Sequence, residues 1–167
     1  MKNLLYAKAL EYQKNKLWKE LWDTDLFAVK HSDGKIWLHT GHLGYKDKEG
    51  LIFFTSRLKR IIVTSGYNVY PSYMEKIINS HPAIESCVVV GVPHPYKKEV
   101  PVVCIVLRKS FSPSDELTKD IKLYCSKSIA KYAMPYKYEY IKSVPKTIVG
   151  KVNYKKLEEE CTRKYGK

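Results

Sequence analysis

The stretch RLKRIIVTSGYNVYP, residues 57–71, decides how the rest of the chain is organised. Its β-branched run at residues 61–64 predicts a short strand, which breaks at Ser65-Gly66. Glycine permits a turn with positive φ and lets another molecule lie close to the main chain. Three cations precede the strand within four residues: Arg57, Lys59 and Arg60.

A second stretch, PKTIVGK at residues 145–151, places Lys151 directly after Gly150. This position predicts a loop tip from which the lysine can reach away from its own domain. A strand, a glycine turn and an exposed lysine together suit a nucleotide or another phosphate ligand.

The chain on the carboxyl side of residue 60 alternates regularly between strand and helix patterns. The apolar runs CVVVGV and VPVVCIVL are nearly continuous, which favours central strands that helices cover. We predict strands at residues 61–64, 84–92, 100–107 and 138–141, and helices at residues 72–80, 114–131 and 152–163. This order predicts an α+β fold, with a small mixed sheet flanked by helices. A polar loop, residues 93–99, should separate the two long strands.

The chain on the amino side is less regular. Residues 1–21 have the pattern of one or two amphipathic helical turns, and residues 35–39 and 51–55 are predicted to be short strands. We therefore expect a hairpin-like section over residues 1–58 and a compact domain over residues 59–167.

The formal net charge of +13 over 167 residues leaves two interpretations open. Such an excess favours polyanionic partners, among them nucleic acid, anionic lipid and phosphorylated ligands. A lysine-rich surface that serves solubility explains it equally well.

The four cysteines form no C-x-x-C pair, and no histidine lies at metal-ligand spacing, so no metal site is expected. Cys87 and Cys104 lie within apolar runs, as free cysteines of a reducing compartment do. Without a membrane-length apolar segment or a signal-peptide pattern, the sequence predicts a cytoplasmic location and no membrane span.

A third motif, WLHTGHLG at residues 37–44, completes a pattern that resembles the adenylate-forming enzymes. In order, the three motifs are similar to the end of the large domain and the carboxy-terminal lid of that superfamily. The acyl-CoA synthetases are the nearest group. The resemblance extends from about residue 37 to residue 157, and it implies that residues 1–58 are the tail end of a large adenylation domain.

The resemblance assigns three residues to ATP and to lid movement. Arg57 matches an arginine that reaches the nucleotide, and guanidinium suits phosphate oxygens. His42 stands where the family has an aspartate that accepts hydrogen bonds from both ribose hydroxyls. Because neutral imidazole has only one acceptor, this departure predicts weaker ribose binding. Lys59 falls at the hinge, where the backbone rotates to exchange the two faces of the lid.

The resemblance also assigns residues to coenzyme A and to catalysis. Ser65, Gly66 and Tyr67 match the loop that lines the pantetheine tunnel, and Lys97 falls where basic residues contact coenzyme A phosphates. Lys151 matches the adenylation lysine, which stabilises charge in the first half-reaction.

These assignments imply the carboxy-terminal domain of an AMP-forming acyl-CoA synthetase, with ATP, Mg²⁺ and coenzyme A as its cofactors. In the family that the chain resembles, the phosphate loop and the acyl pocket lie on the large amino-terminal domain, which would also hold the Mg²⁺. This domain is the expected partner, and we expect the isolated chain to be inactive. The alternative is a standalone degenerate lid that serves as a binding or regulatory module. A nucleic-acid binder is disfavoured because the sequence has no motif for it.

Overall fold

The computed structural model describes residues 4–8, 28–30, 32, 34 and 36–166. The chain divides into two compact units, Met1–Lys59 and Arg60–Lys167. The division falls one residue after the boundary that the sequence predicts. That the first unit ends a larger domain stays a prediction.

The first unit is organised around one long strand, β3 (Ile36–Lys46). It pairs antiparallel with β1 (Leu4–Lys8), β2 (Ala28–Lys30) and β4 (Ile52–Arg57). The turn between β3 and β4 follows from Asp47, whose carboxylate accepts a hydrogen bond from the Leu51 amide at 2.8 Å.

The second unit contains a mixed sheet in which β8 is the central strand. β8 (Lys98–Leu107) pairs antiparallel with β7 (Ile84–His94) and, at its start, with β5 (Ile62–Thr64). Farther along, it pairs parallel with β9 (Lys137–Tyr140), while β6 (Tyr67–Val69) extends β5. The predicted small mixed sheet is therefore confirmed.

Helices cover both faces of this sheet. One face packs against α1 (Pro71–Asn79) and α2 (Asp115–Ser126), and the other packs against α3 (Tyr154–Tyr165). Alternate residues of β7 and β8 enter the two cores, because successive side chains of a strand point to opposite faces. The first core takes Val89 and Val103, and the second takes Val88 and Val102. This two-sided burial explains the continuous apolar runs.

Local sequence fixes the helix ends. Pro71 begins α1, where a missing amide proton costs nothing. Ser114 caps α2 by accepting a hydrogen bond from the Leu117 amide at 3.1 Å. Asn153 caps α3 in the same way, from the Lys156 amide at 3.1 Å.

The structure corrects several predicted elements. Leu4–Lys8 is a strand paired with β3, where helical turns were predicted; residues 1–3 and 9–21 of that prediction lie outside the described residues. The predicted loop at residues 93–99 is largely strand, since the β7–β8 ladder continues to His94 and Lys98. Strand β6 was not predicted. Helix α2 ends at Ser126, five residues before the predicted end at residue 131.

Candidate functional site

The two residues expected to contact ATP lie opposite each other in the first unit. His42 on β3 and Arg57 on β4 are Cα partners in the antiparallel ladder. Directly opposed residues share one face of a sheet, so the pairing brings an imidazole and a guanidinium to the same face. The His42 ring also packs edge-on against Phe54, with ring centroids 5.5 Å apart.

The expected hinge lies in a short 3₁₀ turn, Leu58–Arg60, which separates β4 from β5. Lys59 is exposed there, and it is the last residue of the first unit. A single helical turn has few internal hydrogen bonds, so it resists a change of backbone angle less than a paired strand does.

The expected coenzyme A loop is a tight two-residue hairpin turn between β5 and β6. Ser65 and Gly66 both have positive φ, 49° and 82°, as a type I′ turn requires. A Cβ built on Gly66 would meet no atom within 4 Å, so the space above the turn is open. The turn therefore fits a thin ligand that passes close to the backbone.

Lys97 lies beside this turn, although it is 31 positions from Gly66 in the sequence. The Ser65 amide donates a hydrogen bond to the Lys97 carbonyl at 3.0 Å, and Thr64 pairs with Lys98. The β5–β6 and β7–β8 hairpins therefore meet at one end of the sheet, and they bring Ser65, Gly66 and Lys97 together.

Two aromatic pairs lie on the elements that form or adjoin this turn. Tyr67 stacks on Tyr132 with ring centroids 4.6 Å apart, and both rings are about half exposed. His94 packs edge-on against Tyr136 at 5.5 Å. Tyr132 and Tyr136, in the segment before β9, were not predicted as part of this region, because their pairing with distant rings leaves no local sequence signal.

Lys151 is held on a separate short hairpin, closed by a bridge between Lys146 and Val152. The Thr147 amide donates to the Lys151 carbonyl at 2.7 Å, and the Gly150 amide donates to the Thr147 carbonyl at 2.9 Å. Gly150 has a φ of 77°, which a non-glycine residue rarely adopts. The lysine side chain is exposed, so this hairpin presents a cation on a defined backbone.

Three of the four cysteines, Cys87, Cys104 and Cys125, have raised thiol pKa values. All four are free and buried. Burial raises the pKa of the Cys87 thiol, and it raises the pKa of Cys125 to about 11. The hydrogen bond with Cys161, at 3.5 Å between the sulfurs, and burial raise the pKa of Cys104. Protonated, buried thiols are poor nucleophiles.

Neither a membrane span nor a metal cluster occurs among the residues that the structure describes. No helix there is long and apolar enough to cross a bilayer. No three side chains of His, Cys, Asp and Glu converge there as metal ligands.

Comparison with known proteins identifies the second unit. The family of AMP-binding enzyme C-terminal domains matches residues 73–151. A long-chain-fatty-acid–CoA ligase of Bacillus subtilis is 38% identical over 129 residues, which are 77% of this chain and 22% of the ligase. A 4-coumarate–CoA ligase-like protein of Oryza sativa is 35% identical over 132 residues, 79% of this chain and 23% of the relative.

A solved structure is similar as well. The ATP-bound RpMatB–BxBclM chimera B1 superposes with a TM-score of 0.75 at 31% identity, over 82% of this chain and 26% of the chimera. This chain thus spans about a quarter or less of each relative. It belongs, through residues 73–151, to the family of AMP-binding enzyme C-terminal domains, the carboxy-terminal domains of adenylate-forming ligases.

Proposed function

We propose that this chain supplies the lid of an AMP-forming acyl-CoA synthetase. The observation that carries the proposal is the Lys151 hairpin, which ends the matched family segment and exposes a lysine on a closed turn. In the reaction, a carboxylic acid and ATP form an acyl-AMP and pyrophosphate. Coenzyme A then displaces AMP, and the products are acyl-CoA and AMP.

In the first step, Lys151 stabilises the negative charge that develops between the carboxylate and the α-phosphate. A preorganised cation or donor at such a position contributes about 3–4 kcal/mol to transition-state stabilisation. Arg57 and His42 approach the nucleotide from the face of the β3–β4 pair that they share.

In the second step, a rotation at Lys59 brings the other face of the lid into use. Coenzyme A then passes the Ser65-Gly66 turn, where the open space above Gly66 suits the pantetheine arm. Tyr67 and Lys97 flank this path, and Lys97 supplies a positive charge for the coenzyme A phosphates.

The partner is a large amino-terminal domain that binds Mg²⁺, the ATP phosphates and the acid. This chain spans only 22% of the B. subtilis ligase, so we assign those elements to the remaining length. We also assign residues 1–58 to the end of that domain. The isolated chain is expected to be inactive, and its location in the cytoplasm stays a prediction.

The test is a pyrophosphate-release assay with ATP and a panel of carboxylic acids, with and without an added large domain. We expect turnover only with that domain, and we expect Lys151→Ala to abolish it. Supplied with acyl-AMP, Lys151→Ala should still form acyl-CoA. Lys142→Ala, at another exposed lysine, is the matched control. The catalytic assignment is wrong if Lys151→Ala supports normal pyrophosphate release.

His42 favours a second candidate, a degenerate lid that serves as a binding or regulatory module. A histidine cannot supply the two acceptors of an ionised aspartate. This candidate predicts tight binding of coenzyme A or a nucleotide by the chain alone, without turnover when the large domain is added. Calorimetric titration of the chain separates the two candidates.

A further inference from the structure

Arg60, the residue after the expected hinge, connects three elements of the second unit. Its Nη2 donates to a Glu75 carboxylate oxygen on α1 at 2.6 Å and to the Val89 carbonyl on β7 at 3.3 Å. Its Nη1 lies 3.3 Å from the Tyr154 hydroxyl at the start of α3. The guanidinium carbon also lies 4.0 Å from the centre of the Tyr154 ring.

The Arg60–Glu75 pair forms hydrogen bonds with backbone groups on the outer edge of β7. Among the described strands, β7 pairs only with β8, so Val89 directs a backbone donor and a backbone acceptor to the other side. Glu75 accepts from the Val89 amide at 2.9 Å, and Arg60 donates to the Val89 carbonyl. Without this pair, the backbone amide and carbonyl at this edge would need water as their hydrogen-bond partner.

This ion pair is largely shielded from water. The Arg60 and Glu75 side chains are 18% and 16% exposed. A pair of this kind is weakened little by salt, and the loss of one partner leaves a poorly solvated charge. The planar guanidinium suits this position, because it forms several hydrogen bonds while it stacks on a ring.

Tyr154 links Arg60 to the hairpin that carries Lys151. The Asn153 amide, one residue before Tyr154, donates to the Pro145 carbonyl at 2.8 Å and closes the base of the hairpin. The β-bridge between Lys146 and Val152 lies one residue further into the hairpin on each side. A continuous set of contacts therefore runs from Arg60 through Tyr154 to the base of this hairpin.

We propose that Arg60 is a positioning residue that fixes the Lys151 hairpin to the sheet. The inference rests on the proposed roles of Lys59 and Lys151. Arg60 directly follows Lys59, so a rotation of the backbone at the hinge moves Arg60. The contacts from Arg60 through Tyr154 then carry the Lys151 hairpin along with it. Arg60 thereby holds Lys151 in one position relative to the domain core.

The first test measures the position of the hairpin in the chain itself. Spin labels are placed at Lys122→Cys on α2 and Lys146→Cys on the hairpin; both positions are exposed, and all four native cysteines are buried. Double electron–electron resonance should give one narrow distance distribution. Arg60→Ala should broaden it, and Arg163→Ala, an exposed arginine on α3, should leave it narrow.

Tyr154→Leu keeps the test decisive if Arg60→Ala does not fold. This variant leaves the Arg60–Glu75–Val89 contacts in place and removes the ring and the hydroxyl through which Tyr154 contacts Arg60. It should also broaden the distribution. The proposal is overturned if the folded Arg60→Ala or Tyr154→Leu chain keeps the narrow distribution.

The second test uses the chain with an added large domain. A misplaced catalytic group lowers the rate of chemistry, by about 10²-fold for a shift of about 1 Å. Arg60→Ala should therefore reduce kcat for pyrophosphate release and leave KM for ATP nearly unchanged, with partial rescue by Arg60→Lys. If the unaltered chain shows no turnover, the proposed function fails, but the distance measurement still decides the role of Arg60.

Discussion

At the residue scale, the identity of one side chain sets how well the nucleotide is expected to bind. His42 and Arg57 are opposed across two strands, so an anion at position 42 would lie beside a cation. The sequence predicted a contact for both residues from separate motifs. Their pairing follows from the β3–β4 register, which no local pattern specifies.

His42→Asp should improve the use of ATP in the reconstituted enzyme. The carboxylate restores two acceptors for the ribose, and a hydrogen bond to a charged group contributes roughly 1.5–3 kcal/mol, or about tenfold or more in KM. Initial rates over a series of ATP concentrations measure the effect. His94→Asp, the same exchange beside Tyr136, is the control and should leave KM for ATP unchanged. An equal KM in His42→Asp and the unaltered chain would contradict this prediction.

Gly66→Leu should block acyl transfer to coenzyme A and leave adenylation intact. Position 66 has a φ of 82° with open space above it, so any side chain is strained and a long one fills the ligand path. Strain alone costs about 1–2 kcal/mol of stability. Single-turnover assays of the two half-reactions provide the measurement.

Gly66→Ala is the matched control, because it carries the same backbone strain with only one added carbon. Both variants should lose similar stability in thermal unfolding, and only Gly66→Leu should lose acyl transfer. An equal loss in both half-reactions for Gly66→Leu would remove this turn from the coenzyme A path.

At the element scale, the end of α3 is fastened to the parallel strand β9. Glu139 on β9 accepts hydrogen bonds from the Lys164 ammonium, at 2.6 Å, and from the Tyr165 hydroxyl. Burial favours the protonated form of Glu139, but these two donors outweigh it and hold the pKa of the carboxyl below its usual value. The contact therefore stabilises the fold in the ionised form.

This stabilisation should be lost in acid. Because the folded pKa of Glu139 lies below the unfolded value of about 4.3, its contribution is complete above that value and declines as the pH falls through the folded pKa. Glu139→Gln should lower the free energy of unfolding at pH 7, and the deficit should shrink below about pH 4. Denaturant titrations across this range check it.

Glu85→Gln, at an exposed carboxylate on β7, is the comparison variant for Glu139→Gln. It removes one charge without removing a bond to α3, so its deficit at pH 7 should be small. A Glu139→Gln deficit that stays constant down to pH 2 would show that the carboxylate charge has no part in the contact.

At the scale of the whole molecule, the stability of the second unit is concentrated in its central strand. β8 is paired on both edges, and both of its faces are covered by helices. The first unit, by contrast, presents exposed apolar side chains on β4, with Ile52 65% and Phe54 63% exposed. Such a surface is expected where a larger domain would pack.

Amide hydrogen exchange should therefore be slowest in β8 and in the facing half of β7. These amides exchange only when the whole sheet opens, so their protection should approach the global free energy of unfolding. The β4 amides should exchange faster in the isolated chain and gain protection when the large domain is added. Protection in β4 equal to that in β8 in the isolated chain would contradict this prediction.

The sequence by itself determined the fold class, the helices and most strands of the second unit. Features of the local sequence are enough to predict these elements. They are the spacing of apolar residues, proline at a helix start (Pro71), serine as a helix cap (Ser114) and glycine at turns. The family motifs also gave the candidate residues. None of these signals depends on which distant segments meet.

Only the tertiary structure decided which residues lie together. Strand register opposes His42 to Arg57, and hairpin packing brings Lys97 to the Ser65-Gly66 turn. The contacts of Arg60 with Glu75, Val89 and Tyr154 join residues 15, 29 and 94 positions away. The sequence could not predict them, because each contact depends on strand order and helix packing, and long-range pairing leaves no local pattern.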